Sequence, residues 1–127
     1  MRKTSAVALV AALALAGVAF AQQAGIKRTV LQRVDVPGST YETVLGVAEI
    51  AAGINAGRHF HPGPETGTVT EGEMVLLIDG QPPKTLKVGD SYQIATGTVH
   101  DVKAVSGAKV VAVYTIPKGQ PLASPAP

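Results

Sequence analysis

Turn residues interrupt this chain so often that a helix has nowhere to grow. Fourteen glycines and nine prolines are spread along 127 residues. Past an apolar run at the N-terminus, no stretch carries a 3.6-residue apolar period without one of them inside it. What remains are short β-branched and aliphatic runs closed by turn signals. Residues 29–36 stop at Pro37-Gly38, residues 42–52 at Gly53, and residues 58–61 at Pro62-Gly63-Pro64. Residues 73–79 end in Asp79-Gly80, a hairpin dipeptide. Residues 85–88 and 91–94 stop at Gly89-Asp90 and near Gly97, and residues 99–105 and 109–116 flank Ser106-Gly107, which reads as a second hairpin. Short strands at regular spacing predict an all-β sandwich or barrel. Tryptophan is absent and other aromatics are few, so the core must be aliphatic.

The two ends read differently from this middle. Arg2 and Lys3 precede an apolar run over residues 6–20, and Ala19-Phe20-Ala21 closes it with a small-x-small pattern. That is the form of a secretory signal peptide over residues 1–21, cleaved near Ala21. The run is short for a membrane span of roughly 20 residues, and no cysteine follows it to carry a lipid. The mature chain is expected to be exported, to the periplasm or beyond, with no stable membrane anchor. Arg2 and Lys3 also account for the excess of basic residues, so nine of each sign remain, and no basic patch supports nucleic-acid binding. Without cysteines, an exported protein must be stable without disulfides. The mature chain of about 106 residues suffices for one core. Residues 22–118 are expected to form a single domain, and the Pro/Ala-rich tail, residues 119–127, to be extended and poorly ordered.

The chemistry concentrates in the chain's three histidines. His59 and His61 are separated by Phe60, Glu65 follows, and His100 lies farther on. Side chains alternate across a strand, so His59 and His61 share a face about 7 Å apart and can converge on one ion. Pro62-Gly63-Pro64 can swing Glu65 back toward them, and a closed sheet can bring His100 opposite. Three imidazoles and a carboxylate suit one divalent transition metal, whether iron, manganese, nickel, copper or zinc. In octahedral geometry they leave two positions open. A hydrogen-bonded core histidine is the plainer role for any one of them taken alone. Phe60 and Tyr114 read as packing, Arg58 as a solvated rim residue, and Asp101 as facing away from its neighbour His100.

The spacing resembles a known family. Gly53, five residues, His59-x-His61, three residues, Glu65, six residues and Gly72 are similar to the first cupin motif with every fixed position filled. Gly89, five residues, Ala95-x-Gly97, two residues and His100 are similar to the second. Two positions depart from it: Ala95 stands where the family usually has proline, and Ala104 where it usually has asparagine. With flanking strands, the resemblance covers residues 29–117. It implies an all-β cupin double-stranded β-helix, a jelly-roll barrel, with His59, His61, Glu65 and His100 holding the metal inside. It also implies a small-molecule ligand or substrate and a possible homodimer.

Fold alone does not settle function. No nucleophile motif, P-loop or dinucleotide fingerprint is present, so catalysis would belong to the metal. The expectation is a metal-dependent oxidoreductase of dioxygenase type acting on a small oxygenated molecule, aromatic ones included. In quercetinase-like cupins the matching glutamate is thought to act as a base, which makes Glu65 a candidate catalytic residue. The alternatives are a non-catalytic metal- or ligand-binding cupin and a metal-dependent isomerase or lyase of a sugar or keto acid.

Overall fold

The computed structural model describes residues 24–127. The expected signal peptide over residues 1–21 lies outside the described residues. Within them the chain forms β1 (Ile26–Asp35), β2 (Tyr41–Ile50), β3 (His59–Phe60), β4 (Glu65–Ile78), β5 (Lys84–Lys87), β6 (Ser91–Ile94), β7 (His100–Pro117) and β8 (Ser124–Pro125), with no helix. No helix of the described residues is therefore long and apolar enough to cross a membrane.

Strand β7 is the axis of the sheet. Along one edge it pairs with β2, from Tyr41↔Pro117 to Ile50↔Ala108, and with β3 at His59↔His100. Along the other it pairs with β4, from Glu65↔Tyr114 to Ile78↔His100. β1 flanks β2, and β5 and β6 share the far edge of β4. Every pairing is antiparallel, and the sheet curls into an all-β jelly-roll barrel, the fold class expected from the turn pattern. Asp79-Gly80 makes the expected hairpin between β4 and β5. The interior is aliphatic, with Val44, Val69, Met74, Leu86 and Ile116 almost wholly buried. Burying a side chain of this size contributes about 1.5–3 kcal/mol. Ala104 lies in this core at zero exposure, so the position where asparagine was expected serves packing here.

Three segments differ from the sequence reading, each for a physical reason. Strand β4 begins at Glu65, eight residues before the apolar run that announced it. Its first inward residues are Glu65, Gly67 and Val69, so the inner face there begins with a carboxylate and a bare glycine, and apolar alternation never develops. The hairpin expected at Ser106-Gly107 does not form, because both edges of β7 are already occupied and the chain runs straight through. Gly107 is absorbed where the β4–β7 register shifts, just before the Gly72↔Ala108 pair. A Cβ on Gly72 would lie 1.8 Å from the Gly107 carbonyl oxygen, and φ there is +71°, so only glycine fits at this crossing. The tail expected to be poorly ordered contains β8, which pairs with β3 through His59↔Pro125 and Phe60↔Ser124. Leu122 is its one large apolar side chain, and what orders it is hydrogen bonding to the segment that carries His59 and His61.

Candidate metal centre

Four side chains from three strands and one loop meet inside the barrel. His59 lies on β3, His61 just beyond it, Glu65 at the start of β4 and His100 at the start of β7. The antiparallel pairing His59↔His100 brings the two motifs together. Ring centroids are 4.2 Å apart for His59 and His100, 5.0 Å for His59 and His61, and 5.1 Å for His61 and His100. One nitrogen from each imidazole lies within 4.8 Å of the others, a spacing at which all three could hold one metal ion. Glu65 Oε2 sits 3.0 Å from His61 Nε2 and 3.6 Å from His100 Nε2. His61, Glu65 and His100 are each at most 4% exposed.

The loop between His61 and Glu65 is held in place by a close approach. A Cβ on Gly63 would meet the Thr115 carbonyl oxygen at 1.7 Å, so a bare glycine lets this turn press against β7 and aim Glu65 inward. On the opposite side, Gly97 N–H donates to the His61 carbonyl at 2.9 Å. The turn before His100 closes without the family's proline, through Thr98 N–H donating to the Ala95 carbonyl at 3.1 Å.

All three imidazoles are oriented alike. His59 Nδ1 pairs with the Gly57 carbonyl at 2.7 Å, His61 Nδ1 with the Leu122 carbonyl at 2.7 Å, and His100 Nδ1 with the Thr98 carbonyl at 2.9 Å. A carbonyl oxygen only accepts, so each Nδ1 carries a proton and each ring turns its Nε2 toward the centre. Such outer hydrogen bonds fix tautomer and ring angle in metal-ligating histidines. Burial, with His100 and His61 nearby, lowers the His59 pKa to about 4 against the opposing Gly57 hydrogen bond, so this ring is neutral at ordinary pH.

Glu65 is the counterpart. Burial pushes its pKa upward, but the His100 and His61 rings beside it and the Tyr92 hydroxyl outweigh that and hold the carboxyl well below the usual carboxylate range. Tyr92 donates to Glu65 Oε1 at 2.8 Å. The other oxygen, Oε2, and His61 Nε2 are both buried without a hydrogen-bond partner. With the His61 proton on Nδ1, these are two acceptors facing each other at 3.0 Å. Such a pair is stable only with positive charge between them, either a proton on Nε2 or a cation. This donor set fits a divalent transition metal.

Two tyrosines and an arginine complete the surroundings, and sequence reasoning undervalued them. Tyr92 faces inward across Gly67, where a Cβ would come within 2.5 Å of its ring. Its signal was the small residue two places after Glu65 on the same strand face. Tyr114 is directly opposite Glu65 in the β4–β7 register and packs 4.8 Å from the His61 ring. Burial, reinforced by the Glu65 charge, raises both phenols far above their ordinary range, so both remain donors. Arg28 on β1 lines the same cavity. By contrast Arg58 binds Asp79 bidentately at 3.0 and 2.8 Å. Asp101 engages Asn55 at 3.3 Å and does not line the cavity.

The cavity beside the histidines has a volume of about 60 Å³ and is otherwise walled by aliphatic side chains such as Ile26, Met74 and Leu122. Larger depressions on the surface are open, and one of them is rimmed by charges that pair with each other, Lys27 with Glu49 and Lys109 with Glu71.

Residues 46–117 match the family model for the cupin domain, across both histidine segments. The chain belongs to the cupin family. This cupin is similar to the HTH-type transcriptional regulator PuuR of Escherichia coli, at 42% identity over 57 residues, which is 43% of this chain and 30% of the regulator. It therefore spans less than a third of that relative's length. Among solved structures it is similar to the DMSP lyase DddQ of Ruegeria pomeroyi, with a TM-score of 0.68 and 20% identity over 80% of this chain and 51% of that one. It is also similar to a salicylate 1,2-dioxygenase of Pseudaminobacter salicylatoxidans, with a TM-score of 0.58 and 16% identity over 71% of this chain and 26% of that one. At such identities the cupin shares the fold of these enzymes, and its chemistry has to be argued from its own residues.

Proposed function

We propose that this cupin binds one divalent transition metal through His59, His61, Glu65 and His100 and is a metal-dependent oxidoreductase of dioxygenase type. The observation that carries the reading is the pair of buried acceptors, His61 Nε2 and Glu65 Oε2, 3.0 Å apart with no donor between them. When bound, the metal supplies a Lewis-acid centre with positions open for a small oxygenated molecule and for dioxygen. The chain's own groups do the rest. The three carbonyl-anchored imidazoles hold their lone pairs toward one point, the aliphatic walls exclude water, and the Tyr92 hydroxyl holds Glu65 by its second oxygen. With a metal bound, Glu65 Oε2 would also be available as a base toward a substrate hydroxyl in the cavity. The likeness to a salicylate dioxygenase supports an aromatic hydroxylated substrate as one candidate.

The test is oxygen uptake by the iron-, manganese-, nickel- or copper-loaded protein with a panel of flavonols and catechols. Uptake with at least one pair supports the reading, and no uptake by protein that demonstrably holds metal refutes it. Two alternatives have their own support. The partial likeness to a transcriptional regulator favours a ligand-binding module without turnover, and the likeness to a lyase favours metal-assisted conversion without oxygen. Export through residues 1–21 belongs to the same proposal, and N-terminal sequencing of the protein recovered from the periplasm tests it. A homodimer through the β1 edge, where Val30, Leu31 and Val34 are exposed, is tested by sedimentation.

A further inference from the structure

The cavity is too small for the substrates proposed. At about 60 Å³ it holds two waters or a diatomic molecule, whereas a cavity of roughly 150 Å³ is known to accept benzene. To enclose such a molecule one wall has to move, and the walls are unequal. Most belong to the long strands β1, β2, β4 and β7, whose hydrogen bonds continue on both sides of the cavity. Leu122 and Ala123 line it as well, and they belong to the segment after β7.

That segment is attached at few points, all on the stretch that carries His59 and His61. β8 pairs with β3 over two residues. Ala126 N–H donates to the Arg58 carbonyl at 3.0 Å, and Arg58 Nε donates to the Pro127 carbonyl at 2.9 Å while its two terminal nitrogens hold Asp79. The Leu122 carbonyl accepts from His61 Nδ1 at 2.7 Å. His59 and His100 differ here, because their Nδ1 acceptors, Gly57 and Thr98, lie only two residues upstream of each. Only His61 takes its orientation from a distant piece of chain.

We propose that residues 122–127 form a latch: the Leu122 carbonyl positions His61, and release of the segment from β3 and Arg58 opens the cavity to metal and substrate. The metal-site reading enters only in what passes through the opening. In the closed state His61 Nε2 points at Glu65. In the open state its Nδ1–H loses its acceptor and the ring is free to turn, so positioning and access change together.

Exchange of the imidazole Nδ1 protons with solvent, followed by NMR on the full-length metal-free protein, tests this without reference to activity. Ala126→Pro removes one donor and Arg58→Ala another, and both are expected to speed His61 Nδ1–H exchange at least tenfold. The His100 proton should stay within about twofold of wild type. A third variant acts in the opposite direction. Phe60→Cys with Ser124→Cys places thiols on residues that face each other in the β3–β8 register, in a chain that has no other cysteine. Opposed strand residues lie at Cα separations that a disulfide can bridge. The oxidised form should exchange the His61 proton more slowly than wild type and release bound cobalt to a chelator at least tenfold more slowly than the reduced form.

Equal acceleration at His61 and His100 would mean general loosening and would overturn the latch. So would a His61 rate unchanged in both point variants, or a cross-linked protein that exchanges like its reduced form. If the cross-link does not form, the two point variants decide alone. A protein that takes up no cobalt refutes the metal-site reading, and proton exchange still decides the latch.

Discussion

Replacing Glu65 with glutamine should stabilise the metal-free protein. With the His61 proton on Nδ1, facing the Leu122 carbonyl, and no metal bound, His61 Nε2 and Glu65 Oε2 are buried acceptors 3.0 Å apart with no donor. Each unmet group costs about 1–3 kcal/mol. A glutamine of nearly the same shape places an amide N–H toward Nε2, making a neutral hydrogen bond and removing a buried charge. Against this, the Tyr92 bond to Oε1 changes from a charged to a neutral acceptor, a loss of roughly 1 kcal/mol. The balance favours Glu65→Gln by about 1 kcal/mol or more, which in a domain of this size is a rise of roughly 4–8 °C in Tm. The same substitution should weaken metal-dependent stabilisation. Metal at a hundred times its Kd adds about 2.7 kcal/mol to the wild type, and each tenfold loss of affinity removes about 1.4 kcal/mol of that. Calorimetry at pH 8, with chelator and then with zinc, reads both signs. A metal-free variant that melts below wild type would refute the reasoning, because it would mean that a proton already satisfies the Glu65–His61 pair.

Other outcomes follow from the same geometry. His59 has a folded pKa of about 4 against an ordinary value of 6.5, so the unfolded chain binds its proton first. The His59 contribution to the stability of the metal-free protein should be full above pH 6.5, be lost as pH falls toward 4, and change no further below that, for at most about 3 kcal/mol; denaturant melts across this range, wild type against His59→Phe, check it. Tyr92→Phe leaves Glu65 Oε1 without its donor and should cost about 1.5–3 kcal/mol, with weaker zinc binding by titration. Gly63→Ala forces a Cβ to within 1.7 Å of a backbone oxygen, so its Tm should drop by far more than the Gly80→Ala Tm, where strain from positive φ acts alone. His61→Ala or His100→Ala should abolish most of the zinc-dependent rise in Tm.

The turn pattern announced most of this barrel because strands β1, β2, β5 and β6 end where a glycine or proline forces a turn. The motif spacing carried the site because strand alternation is local: with His59 placed, His61 follows. Elements that depend on distant partners were less legible. The inner face of β4 near Glu65 carries a carboxylate and a glycine in place of apolar residues, so period-two alternation could not reveal it. Ser106-Gly107 resembles a hairpin, and only the occupied edges of β7 show why the chain continues. The tail looked unstructured because its ordering comes from carbonyls and N–H groups that every residue possesses, and side-chain composition does not report them.

Strand β7 has a further consequence, for the order in which the molecule assembles. β2, β3 and β4 all hydrogen-bond to it, and it follows them in the chain. Before residues 100–117 are available, β2 and β4 lack their common partner, and the hairpins β1–β2 and β4–β5 are two-stranded ribbons with both edges unpaired. Two-stranded ribbons are marginal in water. Folding therefore waits for one late segment that closes several long loops at once, a topology associated with millisecond-to-second rates. The same insertion brings His100 to His59 and Tyr114 to Glu65, so the barrel and its histidine cluster come into being in a single event.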